Sequence, residues 1–243
     1  MAIYFIGLGI GDEKDITLKG LDAVKKCDLI YLESYTSKLD CPADALEKLY
    51  GKKIIPADRD LVEKKDEIIR NAKDKDVAFL VVGDPFGATT HTDLLLRAGK
   101  AGIEVKIIHN ASILNAVGEL GLELYKYGRV TSIPFDNKDI KTPVEVFGNN
   151  HKNDLHTLFL LDLDPQNDKF MMLKQAIEYL LSNGVDENLK AVGCAALGSG
   201  KQEIKYSSLK ALKDLEFRNY PQCLIIPAKM HFIEEEALGA FAV

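Results

Sequence analysis

The sequence predicts an α/β protein of two subdomains. Residues 1–110 form a parallel sheet with helices on both faces, residues 111–243 form a second α/β subdomain with a mixed sheet, and a ligand cleft lies between them. Three observations predict this. Apolar runs of strand length alternate with helical stripes through the first half, the pattern of successive β-α units. Past His109 several strands follow one another with only turns between them, which suits a sheet containing antiparallel pairs. Glycine-bearing polar segments stand directly after strands, where open α/β sheets place their ligands.

In chain order, residues 3–8 read as an apolar strand and 17–26 as a helix, with Leu18, Leu21 and Val24 at helical spacing and Thr17 placed to cap it. Residues 28–33 are a strand, 42–50 a helix opened by Pro42, and 53–55 a short strand. Residues 61–73 carry Leu61, Ile68, Ile69 and Ala72 as a weaker helical stripe; then come strand 77–82, helix 91–100 and strand 104–108. The pattern changes between 108 and 128. Residues 112–124 read as a helix interrupted by Gly118 and Gly121, and 134–151, rich in Asn and Asp, as a long loop or irregular excursion. Strands are expected at 130–133, 157–163, 189–197, 202–206 and 223–227, helices at 169–183, 208–215 and 230–238.

Composition narrows the function. Hydrophobic residues make up 47% and charged residues 28%, an ordinary soluble balance, and the net charge of -6 argues against a nucleic-acid partner. No apolar run approaches the roughly 20 residues of a membrane helix. The apolar start meets Asp12, Glu13 and Lys14 and reads as a strand, not a signal peptide. Cys27, Cys41, Cys194 and Cys223 form no CxxC pair, so reduced thiols in a cytoplasmic protein are expected. The histidines show no metal-site spacing, and neither a nucleophile elbow nor a P-loop is present.

Three segments stand out. Gly83-Asp84-Pro85-Phe86-Gly87-Ala88-Thr89-Thr90-His91 follows the buried-looking run 77–82. It holds an acid and hydroxyls but no lysine or arginine, which favours a ligand with cationic groups and no phosphate. Asp84 can accept from an amine or a ribose hydroxyl, or offset a nearby cation; Thr89 or Thr90 can cap the helix near His91. The second segment, Gly7-Leu8-Gly9-Ile10-Gly11-Asp12, tempts a dinucleotide reading, supported by Glu33 at the end of the second strand. Asp12 stands where that fingerprint needs its third glycine, and a carboxylate there repels a pyrophosphate. A tight turn that merely uses its glycines stays open beside a ligand-approach loop. The third, His109-Asn110-Ala111-Ser112-Ile113, follows strand 104–108, with Ser112 placed as an N-cap. Three loops at the carboxyl ends of three strands can converge on one ligand.

These segments, with Asp12-Glu13-Lys14-Asp15-Ile16-Thr17, Tyr35-Thr36-Ser37, His156-Thr157-Leu158 and Pro227, Lys229 and His231, resemble the diphthine synthases, a branch of the tetrapyrrole-methylase-like methyltransferases, over nearly the whole chain. The resemblance implies two α/β domains with S-adenosylmethionine between them. It implies methylation of the amino group of the aminocarboxypropyl-modified histidine of elongation factor 2, on the way to diphthamide; eukaryotic members also esterify the carboxylate. By position it gives Ile10, Asp84, Gly87, Ser112, Ile113, Leu163, Leu197 and Gln222 as cofactor contacts, and it names no catalytic base or metal. It further implies a cytoplasmic homodimer. A precorrin-type tetrapyrrole methyltransferase and a dinucleotide-binding Rossmann-type protein are the alternatives.

Overall fold

The computed structural model describes residues 1–88 and 91–243, so the expected capping by Thr89 or Thr90 lies outside the described residues. The chain divides into two compact units, Met1–Leu114 and Asn115–Val243.

The first unit runs β1 (Ala2–Gly7), α1 (Leu18–Lys26), β2 (Leu29–Glu33), α2 (Ala43–Tyr50), β3 (Ile55–Ala57), α3 (Arg59–Glu63), α4 (Glu67–Asn71), β4 (Val77–Val81), α5 (Thr92–Lys100) and β5 (Glu104–Ile108). Its sheet has the order β3-β2-β4-β1-β5, every pair parallel. The alternation of side chains along β4 explains the layers. Phe79 and Val81 pack with Val62, Ile68, Leu94 and Ala98 of α3–α5. Ala78 and Leu80 pack with Ala23, Val24 and Leu46 of α1 and α2 on the other face. Right-handed crossovers force this division. The chain steps outward from β1 to β2 and β3, then back across the sheet to β4 and β5, so the returning helices cover the opposite face. At the carboxyl ends of the neighbours β1 and β4 the connections therefore leave toward opposite faces, which opens a crevice.

The cap of α1 is the expected one: Thr17 Oγ1 accepts from Gly20 N at 3.0 Å. The stripe over 61–73 is not one helix but two. The Arg97 guanidinium, far along the chain, donates to the carbonyls of Val62 and Lys65, groups that a continuous helix would have used itself. β3 lies two residues later than expected.

The second unit starts within α6 (Ile113–Ala116), followed by 3₁₀ turns at Val117–Leu120 and Leu124–Lys126 in place of one interrupted helix. Gly121 ends the first turn at φ +81°, where an added Cβ would sit 2.3 Å from Ala237 Cβ. Then come β6 (Thr131–Ile133), α7 (Thr142–Lys152), β7 (Thr157–Leu161), β8 (Leu163–Asp164), β9 (Lys169–Phe170), α8 (Leu173–Ser182), β10 (Lys190–Ala195), β11 (Glu203–Ser208), α9 (Leu209–Asp214), β12 (Gln222–Ile226) and α10 (Phe232–Gly239). The sheet is mixed, in the order β11-β10-β12-β7-β6, with β6 and β7 parallel and the other pairs antiparallel.

The reading of 134–151 as an irregular excursion is corrected by α7. Its buried residues Pro143, Val146, Phe147 and Asn150 follow helical spacing. The buried asparagine hid the stripe: Asn150 Oδ1 accepts from Arg129 N at 3.0 Å, and its Nδ2 donates to Arg129 O and Thr157 Oγ1 at 2.9 and 3.1 Å. The expected helix 169–183 is also shorter, because Lys169 and Phe170 pair with Asp164 and Leu163 first. Among the described residues no helix is long and apolar enough to cross a membrane.

Candidate functional site

Three loops meet at the carboxyl ends of β4, β1 and β5. Beyond the parallel strands, Gly83 N donates to Gly9 O at 2.7 Å and Gly9 N to Gly83 O at 3.3 Å, an antiparallel bridge across the crevice. Both glycines have positive φ, +79° and +81°, a region L side chains rarely occupy. Gly7 is required by space rather than by torsion. An added Cβ there would lie 2.5 Å from Gly83 O and 2.8 Å from Asn110 Cβ. Asn110 ties the loops together, its Nδ2 donating to Gly7 O and Asp15 O, both at 3.0 Å. Asp15 in turn accepts from Gly11 N at 2.7 Å, and Asp12 caps the 3₁₀ turn Glu13–Asp15 through Lys14 N at 2.8 Å.

Asp84 sits at the centre. Its Oδ1 accepts from Phe86 N at 3.0 Å, and its Oδ2 lies 2.7 Å from His109 Nδ1 and accepts from Asn110 N at 3.2 Å. Burial pushes its pKa up, but the Phe86 amide, the His109 ring and the Asn110 amide together outweigh burial and hold the carboxyl below its ordinary value. The Asp84 carboxylate therefore stays ionised near neutral pH, with a side chain 16% exposed beside a His109 ring 70% exposed. Gly87 faces it: an added Cβ would stand 2.9 Å from Ser112 Oγ and 3.2 Å from Asp84 Cβ. Ser112 is buried and accepts from Leu114 N at 3.3 Å. Ile10 and Ile113 are half-buried on the first and third loops. The structure thus joins Asp84, Gly87 and Ser112 directly. Residues 7–12, 83–88 and 109–113 contain no lysine or arginine. Such a site suits a ligand bearing an ammonium group and hydroxyls better than one bearing phosphates.

The dinucleotide reading loses its acid. Glu33 is 1% exposed, and its carboxylate is consumed by Tyr35 N at 2.6 Å, Thr36 N at 2.5 Å and Thr36 Oγ1 at 2.6 Å. Burial raises its pKa.

In the second unit, Leu163 opens β8, its N donating to Asp162 Oδ1 at 3.0 Å. Leu197 is buried just after β10, next to Ala196, which has φ +48°. The buried Gln222 amide is engaged structurally: Oε1 accepts from Leu173 N at 2.8 Å, and Nε2 donates to Phe217 O and Asn219 O at 3.4 and 3.0 Å. Among the described residues no group of His, Cys, Asp and Glu is arranged to hold a metal ion.

Two clusters bring together residues that no local pattern of the sequence links. One is Glu33 with Tyr35, Arg59 and His91. The other is Glu234, which accepts from Glu123 N and His156 Nε2 through Oε1 and from Lys126 Nζ and His231 N through Oε2. The His156 tautomer follows from its surroundings, since Nδ1 accepts from Ala228 N at 3.0 Å and the proton must sit on Nε2.

Comparison with known proteins fits this architecture. The family model for Tetrapyrrole (Corrin/Porphyrin) Methylases matches residues 2–213. The chain is 43% identical to the diphthine methyl ester synthase of Dictyostelium discoideum, over 100% of this chain and 99% of that one. It is 43% identical to the diphthine synthase of Methanosarcina acetivorans, over 99% and 96%. A crystal structure of a diphthine synthase superposes with a TM-score of 0.94 at 38% identity, covering 100% of this chain and 96% of that one.

Proposed function

The chain belongs to the tetrapyrrole methylase family, in its diphthine synthase branch, and on that premise we propose that it transfers methyl groups from S-adenosylmethionine to the amino group of the aminocarboxypropyl-modified histidine of elongation factor 2. It is a methyltransferase of diphthamide biosynthesis. One observation carries the reading of the donor site: Asp84, held ionised by Phe86, His109 and Asn110, lies at the meeting point of three cation-free loops.

The donor supplies a methyl group already activated by a sulfonium leaving group. The residues of the chain must then hold, align and dry the reactants. Asp84 takes the donor's ammonium or a ribose hydroxyl; Gly87 lets the backbone approach; Ile10, Ser112 and Ile113 line the remaining wall. Leu163 and Leu197 enter the proposal as donor contacts to be tested singly. Gln222 enters it with a side chain already committed to Leu173, Phe217 and Asn219, so its contribution is to the strand end it holds. The acceptor amine attacks only when neutral. Desolvation at the site lowers the pKa of the ammonium form, which passes its proton to water before the attack, so no strong general base is required. The methyl ester synthase of Dictyostelium discoideum and the synthase of Methanosarcina acetivorans are each 43% identical to this chain, and we assign amine methylation as the core activity.

The test is mass spectrometry of elongation factor 2 carrying the unmethylated side chain, after incubation with the protein and S-adenosylmethionine. Stepwise methyl additions at the modified histidine are expected, and a precorrin should gain none. Absence of methylation on the factor, or transfer to the precorrin instead, overturns the reading. A homodimer in the cytoplasm completes the proposal, with light scattering behind size-exclusion chromatography as the check on the dimer.

A further inference from the structure

The donor loops occupy the β4, β1 and β5 end of the carboxyl edge. The next positions along that edge, on β2 and β3, carry a cluster the donor reading does not use. Glu33, the last residue of β2, folds residues 34–36 back through its three accepted hydrogen bonds. That turn buries Tyr35, whose ring meets the His91 ring edge-on at 6.0 Å. The His91 ring also stands edge-on to Phe79 at 5.1 Å. His91 is 1% exposed, and among the described residues neither ring nitrogen has a hydrogen-bond partner. Burial pushes its pKa down to about 4, so it is neutral near pH 7.

Arg59 lies over this arrangement. It is the first residue of α3, after β3 and the cap Asp58, which accepts from Leu61 N at 2.7 Å. Its guanidinium carbon is 5.2 Å from the Tyr35 centroid. Among the described residues its ion pair is a long one, Nε to Glu63 Oε1 at 3.8 Å, and its side chain remains 65% exposed. An aromatic ring beneath a guanidinium holds the plane and leaves the N–H edges facing outward, the geometry that receives a carboxylate through two parallel hydrogen bonds. The donor loops offer no cation to an acceptor carboxylate, whereas the β2–β3 edge does. Two strand spacings, about 10 Å, separate β3 from β4. An arginine side chain and a short acceptor chain together bridge that span.

We propose that Arg59, lying over the Tyr35 ring, receives the carboxylate of the aminocarboxypropyl acceptor and so sets acceptor specificity. This rests on the methyltransferase reading above. The acceptor carries its amine and its carboxylate on one carbon, so anchoring the carboxylate on the β2–β3 side turns the amine toward the donor loops.

The experiment compares Arg59→Lys, Arg59→Ala and Arg59→Glu with the unaltered enzyme in methyl transfer to elongation factor 2 carrying the unmethylated side chain, with donor affinity measured separately by calorimetry. KM for the factor should rise about 10–100-fold in Arg59→Ala, the worth of one charge-assisted contact. The rise should be greater in Arg59→Glu and smaller in Arg59→Lys, while donor affinity and urea midpoint stay unchanged. An unaltered KM in Arg59→Ala and Arg59→Glu overturns the assignment, as does a parallel loss of donor affinity. If the unaltered enzyme methylates no factor at all, the methyltransferase reading itself has failed, a result these variants do not mimic.

Discussion

Each unit holds a buried or half-buried carboxylate against a histidine, and the two pairs are built for different ends. In the second unit Glu234 and His156 are 2% and 0% exposed, with 3.0 Å between Oε1 and Nε2. Both Glu234 oxygens accept two hydrogen bonds, from Glu123, His156, Lys126 and His231, which fills the usual capacity of a carboxylate. In the first unit Asp84 and His109 are 16% and 70% exposed at 2.7 Å. Among the described residues Asp84 uses three acceptor positions, leaving one on Oδ1. A saturated, sealed carboxylate fastens chain segments. One with capacity left at an open edge can bind a ligand.

The sharpest way to break this contrast is Glu234→Gln. It removes the charge that Lys126 and His156 face inside the second unit, and breaking a buried pair costs about 3–5 kcal/mol. Urea denaturation should show that loss, while donor affinity of the remaining folded protein stays intact. The pH dependence follows the same logic. Burial raises the Glu234 pKa, but the bonds from Lys126, Glu123, His231 and His156 outweigh it and bring it from 4.5 to about 2. A carboxyl with a depressed folded pKa contributes its full stability above the unfolded value and loses it as pH falls through the folded one. Urea midpoints should therefore fall between pH 4.5 and about 2, and the fall should flatten in Glu234→Gln. Equal slopes in the two proteins would remove Glu234 as the cause.

Asp84→Ala should give the opposite signature. Loss of one charge-assisted contact predicts donor affinity lower by about 10–100-fold in calorimetry, with stability lowered by only about 1 kcal/mol. A stability loss as large as that of Glu234→Gln, with donor affinity unchanged, would erase the distinction between the pairs. Gly87→Ala probes the same wall more gently. Its new Cβ would meet Ser112 Oγ at 2.9 Å, a flexible hydroxyl that can shift, so donor affinity should fall only several-fold, by about 1 kcal/mol.

The difference between the pairs also explains what was legible in the sequence. Glycine after an apolar run announces a strand-end loop, so the Asp84 segment, the Gly7–Gly11 segment and Ser112 could be read as one site before their contacts were known. The parallel sheet was legible for the same reason: the strands of its core are continuous apolar runs. The Asp84–His109 bond joins residues 25 apart through a shared crevice, and no local pattern encodes it. Glu234 and His156 are 78 apart, and no local pattern links them either. Glu33 misled differently, since an acid at the end of β2 suggests a ribose contact until its bonds to Tyr35 and Thr36 are seen. Helix α7 was hidden because Asn150 fills an apolar position with a satisfied amide. The stripe over 61–73 could not reveal its break, because the cause is Arg97 on α5.

The smallest expected effect discriminates best between an open pair and a sealed one. His109→Ala removes a mostly exposed ring, so stability should change by no more than about 0.5 kcal/mol. Asp84 keeps its bonds from Phe86 N and Asn110 N, which hold the carboxylate in place without the ring. Donor affinity should therefore move by about twofold to fivefold, less than 1 kcal/mol and well short of Asp84→Ala. His156→Ala, by contrast, strips a buried partner from Glu234 and from Ala228 N, and its urea midpoint should drop far more than that of His109→Ala. If His109→Ala weakened the donor as severely as Asp84→Ala, the binding group would be the pair acting as a unit, and the carboxylate would not suffice alone.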